Sequence, residues 1–411
     1  MKPISDKPTI LMLGGAGAMG RAALEIIAGY PLVQQIIVAD QDIKEAEKVV
    51  GAIVKEQSSI RISSAQIDVS NSEALRKLID QADVVLNTTG PFYKYGAHIL
   101  HTCIEAGCHY FDICDDWEPT IEMLALHDFA VQNDVLAVIG LGASPGVSNL
   151  LAAHAAKRLD SVKDIYTAWP IGDSLTAITE TVRHGEESEQ TEIAVSAAII
   201  HWMQQISGEI EIWETGEQIT RKPLNAVELD YPEFGKGHAY SVGHPEPVTL
   251  PVSFDASGNS VNLMVMDPST AAYINSLRRD IDRGKLTLEQ AAKLVYDIPK
   301  LRAVKAALQS KKMKGSGNLP PFFALVTGVK NDKPISVGVH LLTAPPTMAV
   351  ITGAPLALGL KQFLEGQIDT VGVHPPETVI NAEQLLTELG PYSQPAAFKL
   401  DEMIQRVETS G

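Results

Sequence analysis

Short apolar runs alternate with segments of helical periodicity along the first 160 residues. Apolar runs of this length are typical of buried strands. Six strands are predicted: five from apolar runs, at residues 9–14, 35–40, 83–89, 109–114 and 135–141, and one from the alternation of apolar and polar residues at 61–69. Helices are predicted to follow them, at residues 21–28, 41–53, 71–80, 97–106, 119–132 and 146–158. Strands that alternate with helices in this way predict an α/β domain with a doubly wound parallel sheet over residues 1–160.

The pattern changes after residue 160. Strands of a mostly antiparallel sheet are predicted at residues 165–169, 210–213 and 248–254, with a hairpin formed by 322–329 and 335–342. Helices are predicted at residues 192–206, 347–364 and, interrupted by Gly284 and Pro299, over 272–314. We predict a second α/β domain, for substrate, at residues 161–345. Residues 346–411 are predicted to be a C-terminal helical segment that can pack back on the first domain.

A glycine-rich turn separates the first predicted strand from the first helix. Gly15, Gly17 and Gly20 follow the pattern GxGxxG, and Asp40 ends the next strand twenty residues after Gly20. In a strand–turn–helix–strand unit, this pattern is a strong dinucleotide-binding signature. Gly15 would permit the tight turn, Gly17 would let the pyrophosphate approach, and Gly20 would let helix and strand pack closely. The first domain is therefore predicted to be a Rossmann domain.

The same unit predicts which dinucleotide binds. Backbone N–H groups at the helix start, including those of Ala18 and Met19, would bind the phosphates. Asp40 would hydrogen-bond the ribose hydroxyl and repel a 2′-phosphate. We therefore expect NAD as the cofactor, with NADP as the alternative.

Unusual residues follow the fourth, fifth and sixth predicted strands, in loops 87–96, 114–117 and 140–149. In an open α/β sheet, ligands bind beyond the carboxyl ends of the strands. We expect Thr89, Gly90 and Pro91 to contact the cofactor. Carboxylates in this region could transfer protons; the candidates are Asp112, Asp115 and Asp116. The alternative for Asp115 and Asp116 is that they are solvated acids that cap the next helix.

The sixth-strand loop also matches the serine-hydrolase pattern GxSxG at Gly142–Gly146. A hydrolase nucleophile needs the N–H of the following residue in its oxyanion hole. The residue after Ser144 is Pro145, which has no N–H. Ser144 is therefore predicted not to be a nucleophile.

Composition narrows the classes of partner. The net charge of −17 disfavours nucleic acid and anionic membranes. No apolar run approaches the roughly 20 residues of a membrane helix, and no secretory signal is visible. Three cysteines without CxxC spacing predict reduced thiols in a cytoplasmic protein. No metal site is predicted, because His98, His101 and Cys103 lack a second pair of ligands with suitable spacing.

The chain resembles the saccharopine dehydrogenase family. The landmarks are GxGxxGR, NTTGPFxxxG, AGCHYFD, PGVSNLLA and a late TGAP…GxxxxVGVxPPE. This resemblance implies an N-terminal Rossmann domain, an inserted substrate domain and a homodimer. It also implies chemistry in which a C–N bond is made or broken beside a hydride transfer. Fungal members that form saccharopine carry an acid directly before the Pro-Gly of the sixth-strand loop, whereas Ser144 stands in that place here.

The implied chemistry suggests roles for further residues. An amine and a carbonyl condense to an imine, and the protein must orient the reacting carbon and move protons. Tyr93 and His184 join the three aspartates as acid–base candidates. Lys94, Arg183 and Arg221 could bind a substrate carboxylate, and Ser144 is a further substrate-binding candidate. The alternative for Arg183 and His184 is an exposed Arg-His pair in a turn.

Three functions remain open at this point. We predict an NAD(P)-dependent oxidoreductase that acts on the CH–NH or C=N bond of an amino acid or a polyamine-like amine. The alternative within enzymes is oxidative deamination of an amino acid. The alternative outside enzymes is a dinucleotide sensor, which would need the glycine-rich turn but not the three loops.

Overall fold

The computed structural model describes residues 7–56, 60–171 and 197–410. The chain forms two compact units. The first comprises residues 1–150 and 343–403, and the second comprises residues 151–342 and 404–411. The chain thus leaves the first unit, returns to it, and ends in the second.

The first unit contains a seven-stranded sheet with the order β15-β6-β5-β4-β1-β2-β3, and all its strand pairs are parallel. Its strands are β1 Thr9–Leu13, β2 Gln35–Asp40, β3 Arg61–Gln66, β4 Val84–Asn87, β5 His109–Asp112, β6 Leu136–Val138 and β15 Gly372–His374. The predicted doubly wound parallel sheet is confirmed. The seventh strand was not predicted, because Val373 is its only large apolar residue, whereas the equally short β6 lies within the apolar run 135–141.

Helices flank this sheet: α1 Ala18–Ile27, α2 Ile43–Glu56, α3 Ser72–Ile79, α4 Phe92–Ala106, α5 Trp117–Leu124, α6 His127–Gln132 and α7 Val147–Ala156. The helix predicted at residues 119–132 is in fact two helices, α5 and α6. The break turns α6 towards β15, where His127 Nδ1 lies 3.1 Å from the Val373 carbonyl oxygen.

The C-terminal segment completes the first unit. Its helices are α13 Met348–Leu364, α14 Pro376–Val379, α15 Ala382–Leu389 and α16 Leu400–Met403. The Thr347 side chain caps α13 by accepting the Val350 N–H. Phe363 of α13 packs against His109 and Phe111 of β5, at ring-centroid distances of 4.9 and 5.7 Å. The segment therefore packs against β5 of the parallel sheet.

The second unit contains a nine-stranded mixed sheet with the order β10-β11-β12-β7-β13-β14-β16, to which β8 and β9 attach through β12. Its strands are β7 Ser161–Pro170, β8 Ile210–Glu214, β9 Glu217–Arg221, β10 Ala226–Tyr231, β11 Gly235–Ser241, β12 Ser260–Val265, β13 Phe323–Lys330, β14 Lys333–Leu341 and β16 Ile404–Ser410. Its strand pairs are antiparallel apart from β7 with β12, as the sequence pattern predicts.

The helices of the second unit are α8 Ala197–Gln205, α9 Glu246–Ser253, α10 Pro268–Asp282, α11 Leu288–Tyr296 and α12 Lys300–Ser310. The predicted breaks at Gly284 and Pro299 are confirmed. The strand predicted at residues 248–254 is wrong, because these residues form most of α9. Residues 246–251 are all buried, including Thr249, so the alternation of apolar and polar residues there does not mark a half-exposed strand.

Within the described ranges, no helix is both long and apolar enough to cross a membrane.

Candidate active site

The glycine-rich turn leads directly into α1. Gly14 has a φ of +71°, so the left-handed residue of the tight turn is Gly14 and not Gly15. Gly17 is the N-cap of α1, and no side chain caps the helix there. The first N–H groups of α1, from Ala18 and Met19 onward, are thus available to an anion at a helix N-terminus.

Gly20 allows α1 to lie close to the turn. A Cβ at this position would be 2.6 Å from the Gly14 carbonyl oxygen and 2.7 Å from the Gly15 Cα. Only glycine fits so close an approach, which agrees with the packing role predicted for Gly20.

Asp40 lies at the carboxyl end of β2 and accepts the Asp42 N–H at 3.1 Å. Asp42 in turn accepts the N–H groups of Lys44 and Glu45 at the start of α2. The Arg21 guanidinium donates to Glu45 Oε1 at 2.8 Å. Asp40 thus provides a carboxylate at this end of the sheet, while the charge of Arg21 is offset by Glu45.

The loop after β4 is fixed by short hydrogen bonds. The Thr88 hydroxyl donates to the carbonyl oxygens of Leu13 and Gly14, at 3.1 and 3.0 Å, and thereby joins this loop to the glycine-rich turn. The Thr89 N–H donates to Asn87 Oδ1 at 2.9 Å. The Gly90–Pro91 peptide is cis, and Pro91 is the N-cap of α4.

Two observations fit a bound dinucleotide. The N-terminus of α1 has no side-chain cap, and the buried Thr89 hydroxyl has no hydrogen-bond partner in the described part of the chain. Both features suit a ligand that brings anionic oxygens and hydrogen-bonding groups to this edge.

Tyr93 and Lys94 lie in the first turn of α4, and both are exposed. The Lys94 Nζ lies 4.8 Å from the centre of the Tyr95 ring. The hydrogen bond and charge of Tyr95 raise the pKa of Lys94. Lys94 is therefore a cation at neutral pH on the side of the sheet where α4 begins.

Asp112, at the end of β5, is fully buried. Its Oδ1 accepts the N–H groups of Cys114 and Gly140, at 3.0 and 2.7 Å, and its Oδ2 accepts the Tyr110 hydroxyl at 2.8 Å. Burial raises the pKa of Asp112 from 3.8 to about 6, and these three hydrogen bonds oppose the rise.

The two acids of the next loop differ in exposure. Asp115 is half-buried, whereas Asp116 is 3 % exposed. Asp116 occupies the N-cap position of α5, but its side chain makes no capping hydrogen bond. The structure therefore does not support the alternative in which Asp116 is a solvated helix cap.

The loop after β6 is tied to the C-terminal segment. Asn149 accepts the Gly146 N–H at 3.0 Å and donates to Glu377 Oε2 at 2.8 Å. Ser144 is half-buried, and its peptide bond with Pro145 is cis. Glu377, which accepts from Asn149, was not among the predicted site residues, although the PPE motif that contains it stood among the family landmarks.

The predicted residues of the second domain are only partly placed. Arg183 and His184 lie outside the described residues. Arg221 ends β9, where it is exposed and donates to Glu214. A substrate carboxylate would have to compete with Glu214 for this guanidinium.

Comparison with known proteins shows the same resemblance. Residues 10–138 match the saccharopine dehydrogenase NADP binding domain. The whole chain is similar to saccharopine dehydrogenase-like oxidoreductases. It is 25 % identical to carboxynorspermidine synthase of Vibrio cholerae in an alignment that covers 92 % of this chain and 92 % of that protein. It is 21 % identical to carboxyaminopropylagmatine dehydrogenase of Synechocystis, over 94 % of this chain and 96 % of that protein.

A solved structure shows the same fold. Saccharopine dehydrogenase (L-Glu forming) from Saccharomyces cerevisiae aligns over 98 % of this chain and all of that one, with a TM-score of 0.57 and 14 % identity. The resemblance drawn from the sequence, the prediction of an enzyme, and the prediction of an NAD(P) cofactor are confirmed.

Proposed function

We propose that this oxidoreductase joins an amine to a carbonyl compound by reductive condensation, or catalyses the reverse reaction, on an amino acid or a polyamine-like amine. The observation that carries the proposal is the pair of carboxylates Asp115 and Asp116 on the loop after β5. They lie at the same sheet edge as the glycine-rich turn and Thr89. Negative charge there favours a cationic amine over an anionic oxo acid.

The relatives support the same class of reaction. One is named a carboxynorspermidine synthase and the other a carboxyaminopropylagmatine dehydrogenase, and each aligns along nearly the whole chain. Both names refer to amines that carry a carboxyl group.

The reaction balances as follows. The amine and the carbonyl lose one water to form an imine, and the protonated imine then gains a hydride at carbon to give CH–NH. When bound, NAD(P)H would supply that hydride and become NAD(P)⁺. The turn Gly15–Gly20, Asp40 and the segment Thr89–Pro91 would hold the cofactor.

The chain's own side chains would handle charge and protons. The carboxylates of Asp115 and Asp116 would stabilise the positive charge that develops as the iminium forms, and electrostatic stabilisation contributes most where charge develops. Tyr93 and His184 are the acid–base candidates for the loss of water. Lys94, Arg183 and Ser144 are the candidates for binding the substrate carboxyl group.

The test is an assay of the purified chain with NADH or NADPH. Diamines, agmatine and lysine are combined with short amino aldehydes and 2-oxo acids, and the loss of nicotinamide absorbance is followed. We expect turnover that requires both an amine and a carbonyl, with a secondary amine as the product by mass spectrometry.

Two other outcomes would overturn the proposal. Oxidation of a primary amine with release of ammonia would establish the deaminase alternative. Binding of NAD(P)H without turnover of any pair would favour the dinucleotide sensor. The homodimer and the cytoplasmic location stay predictions, and sedimentation of the purified chain tests the first.

A further inference from the structure

A buried chain of hydrogen bonds runs across the carboxyl ends of β4 and β5 in the first unit. The Thr89 N–H donates to Asn87 Oδ1, the Asn87 Nδ2 donates to the Tyr110 oxygen at 2.9 Å, and the Tyr110 hydroxyl donates to Asp112 Oδ2 at 2.8 Å. Asn87, Tyr110 and Asp112 are each fully buried. Their placement follows from the strand register, which sets Asn87 opposite Asp112, with Tyr110 two residues earlier on the same strand face.

The chain of hydrogen bonds joins three loops. At one end it holds Thr89, in the loop after β4. At the other end Asp112 Oδ1 holds the N–H of Cys114, in the loop after β5, and that of Gly140, in the loop after β6. These are the loops that carry the proposed cofactor and substrate residues.

The direction of each hydrogen bond is fixed. Backbone N–H groups at both ends can only donate, so Asn87 must present its Nδ2 to Tyr110, and Tyr110 must present its proton to Asp112. The ionised carboxylate accepts from all three of its neighbours. A proton on Asp112 Oδ2 would face the Tyr110 oxygen and leave the tyrosine hydroxyl proton without an acceptor.

We propose that Asp112, Tyr110 and Asn87 are positioning residues, which hold the cofactor loop and the two substrate loops in one arrangement. This inference rests on the proposed function for the identity of the loops. It changes the role first predicted for Asp112, because a fully buried carboxylate that is engaged by three donors is placed to orient the loops and not to touch the substrate.

The need to fill space in the core does not by itself explain why Asn87, Tyr110 and Asp112 are polar. Phenylalanine at position 110 would fill nearly the same volume, and an apolar pair in place of Asn87 and Asp112 would avoid burying a charge. Burial of such a polar network costs desolvation free energy, but a network whose hydrogen bonds are all satisfied specifies one geometry.

The central test compares Tyr110→Phe with Tyr30→Phe. The Tyr30 hydroxyl donates to the Ala357 carbonyl oxygen at 3.1 Å in the same unit, so the control removes one hydroxyl without touching the three loops. We expect Tyr110→Phe to raise the Kd for NADH severalfold, to speed amide exchange at Thr89, and to lower kcat/KM about tenfold. Tyr30→Phe should stay within about twofold of the wild type in each measurement.

Two further variants separate positioning from simple loss of packing. Asn87→Ser cuts the link to Tyr110 but leaves the pair of Tyr110 and Asp112 intact. It should speed exchange at Thr89 and leave exchange at Cys114 and Gly140 unchanged. The double variant Tyr110→Phe/Asp112→Asn should be no worse than the worse single variant, because both cut the same chain.

The pH dependence of NADH affinity distinguishes a positioning role from a merely structural one. Tyr110, Cys114 and Asp115 are the titratable groups that face Asp112. If ionised Asp112 holds the loops, the affinity for NADH falls as the pH drops through about 6. Tyr110→Phe should move the midpoint of this fall in NADH affinity to higher pH, because the ionised Asp112 carboxylate loses one hydrogen bond. Asp112→Asn should abolish the fall.

The outcomes can be told apart. Equal NADH affinity and equal amide exchange in the Tyr110→Phe and Tyr30→Phe variants would overturn the inference, as would additive effects in the double variant. Weaker NADH binding in Tyr110→Phe, without turnover of any amine–carbonyl pair by the wild type, would reject the proposed reaction while supporting the positioning role.

Discussion

Asp112 shows at the scale of a single residue how burial couples protonation to stability. Its pKa is about 6 in the folded chain against 3.8 for an exposed carboxyl, so between these values the folded state binds more protons than the unfolded state. Stability therefore falls as the pH rises through this window. The difference of roughly 2 pKa units corresponds to about 3 kcal/mol.

Asp112→Asn should remove this dependence, because an amide does not titrate. We expect the difference in free energy of unfolding between variant and wild type to shift in favour of the variant as the pH rises from about 4 to about 7. Urea unfolding across that range measures it. A difference that stays constant with pH would show that Asp112 titrates alike in both states.

The two acids after β5 allow a sharper test of substrate charge. Asp115→Asn and Asp116→Asn are made separately, with Glu122→Gln on the exposed face of α5 as the control. We expect at least one aspartate variant to lose about tenfold in kcat/KM for the amine, or roughly 1.4 kcal/mol, with NADH affinity unchanged. Wild-type kinetics in both aspartate variants, or an uncharged alcohol as the best substrate, would contradict the role given to this loop.

Asp40 predicts the choice of cofactor. Its carboxylate would repel a 2′-phosphate, and the nearby Arg21 is already paired with Glu45 at 2.8 Å. We expect kcat/KM to be higher with NADH than with NADPH, and we expect Gln41→Arg to move the ratio towards NADPH. A clear preference of the wild type for NADPH would show that Asp40 does not control the choice.

At the scale of elements, apolar runs predicted β1, β2, β4, β5 and β6 well because most residues of these strands are buried. The strand β3 has no fully buried residue and was predicted from the alternation of apolar and polar residues. A strand was predicted in place of the helix α9 because residues 246–251 are all buried, so no helical period shows there in the sequence. The pattern therefore fails where burial is continuous, or where a short strand such as β15 contains a single large apolar residue.

The residues of the candidate site were predictable only where a local sequence pattern marks them. Asp112, Asp115 and Asp116 were named because they lie near the carboxyl end of the predicted fifth strand. Asn87 and Tyr110 were not named, because their roles depend on the register of β4 against β5. The link between Asn149 and Glu377 spans 228 residues of sequence. Such contacts come from the tertiary fold, and a local pattern does not contain them.

The contact of α1 with α13 can be tested through one glycine. A Cβ on Gly353 would lie 2.5 Å from the Met19 carbonyl oxygen and 3.0 Å from the Ala22 Cβ. Gly353→Ala should therefore destabilise the chain by about 1–3 kcal/mol and weaken NADH binding, because α1 carries the phosphate-binding turn.

Gly51→Ala is the matched control. Gly51 is exposed in α2, and a Cβ there would meet nothing within 4 Å. Because alanine has a higher helix propensity than glycine, Gly51→Ala should stabilise the chain by up to about 1 kcal/mol. Equal unfolding midpoints for the two variants would show that α1 and α13 are not closely packed.

At the scale of the whole molecule, neither of the two units is formed by one continuous stretch of the chain. Residues 343–403 return to the first unit after the second has been formed. They supply β15, which pairs with β6, and Phe363, which covers β5. The glycine-rich turn and the three loops lie in residues 1–150, but the sheet beneath them is incomplete without the returning segment.

A shortened chain of residues 1–157 should therefore fail to fold cooperatively, because the edge of β6 and the apolar face of β5 would be exposed to water. A second chain, in which a flexible Gly/Ser linker joins residue 157 to residue 343 and which ends at residue 403, restores both contacts. We expect the linked chain to melt in one cooperative transition and to bind NADH, and the shortened chain to do neither. Circular dichroism on heating and NADH fluorescence measure the two properties. Cooperative melting of the shortened chain with the same NADH affinity would show that the N-terminal residues form an autonomous dinucleotide-binding domain and that the C-terminal return is dispensable for it.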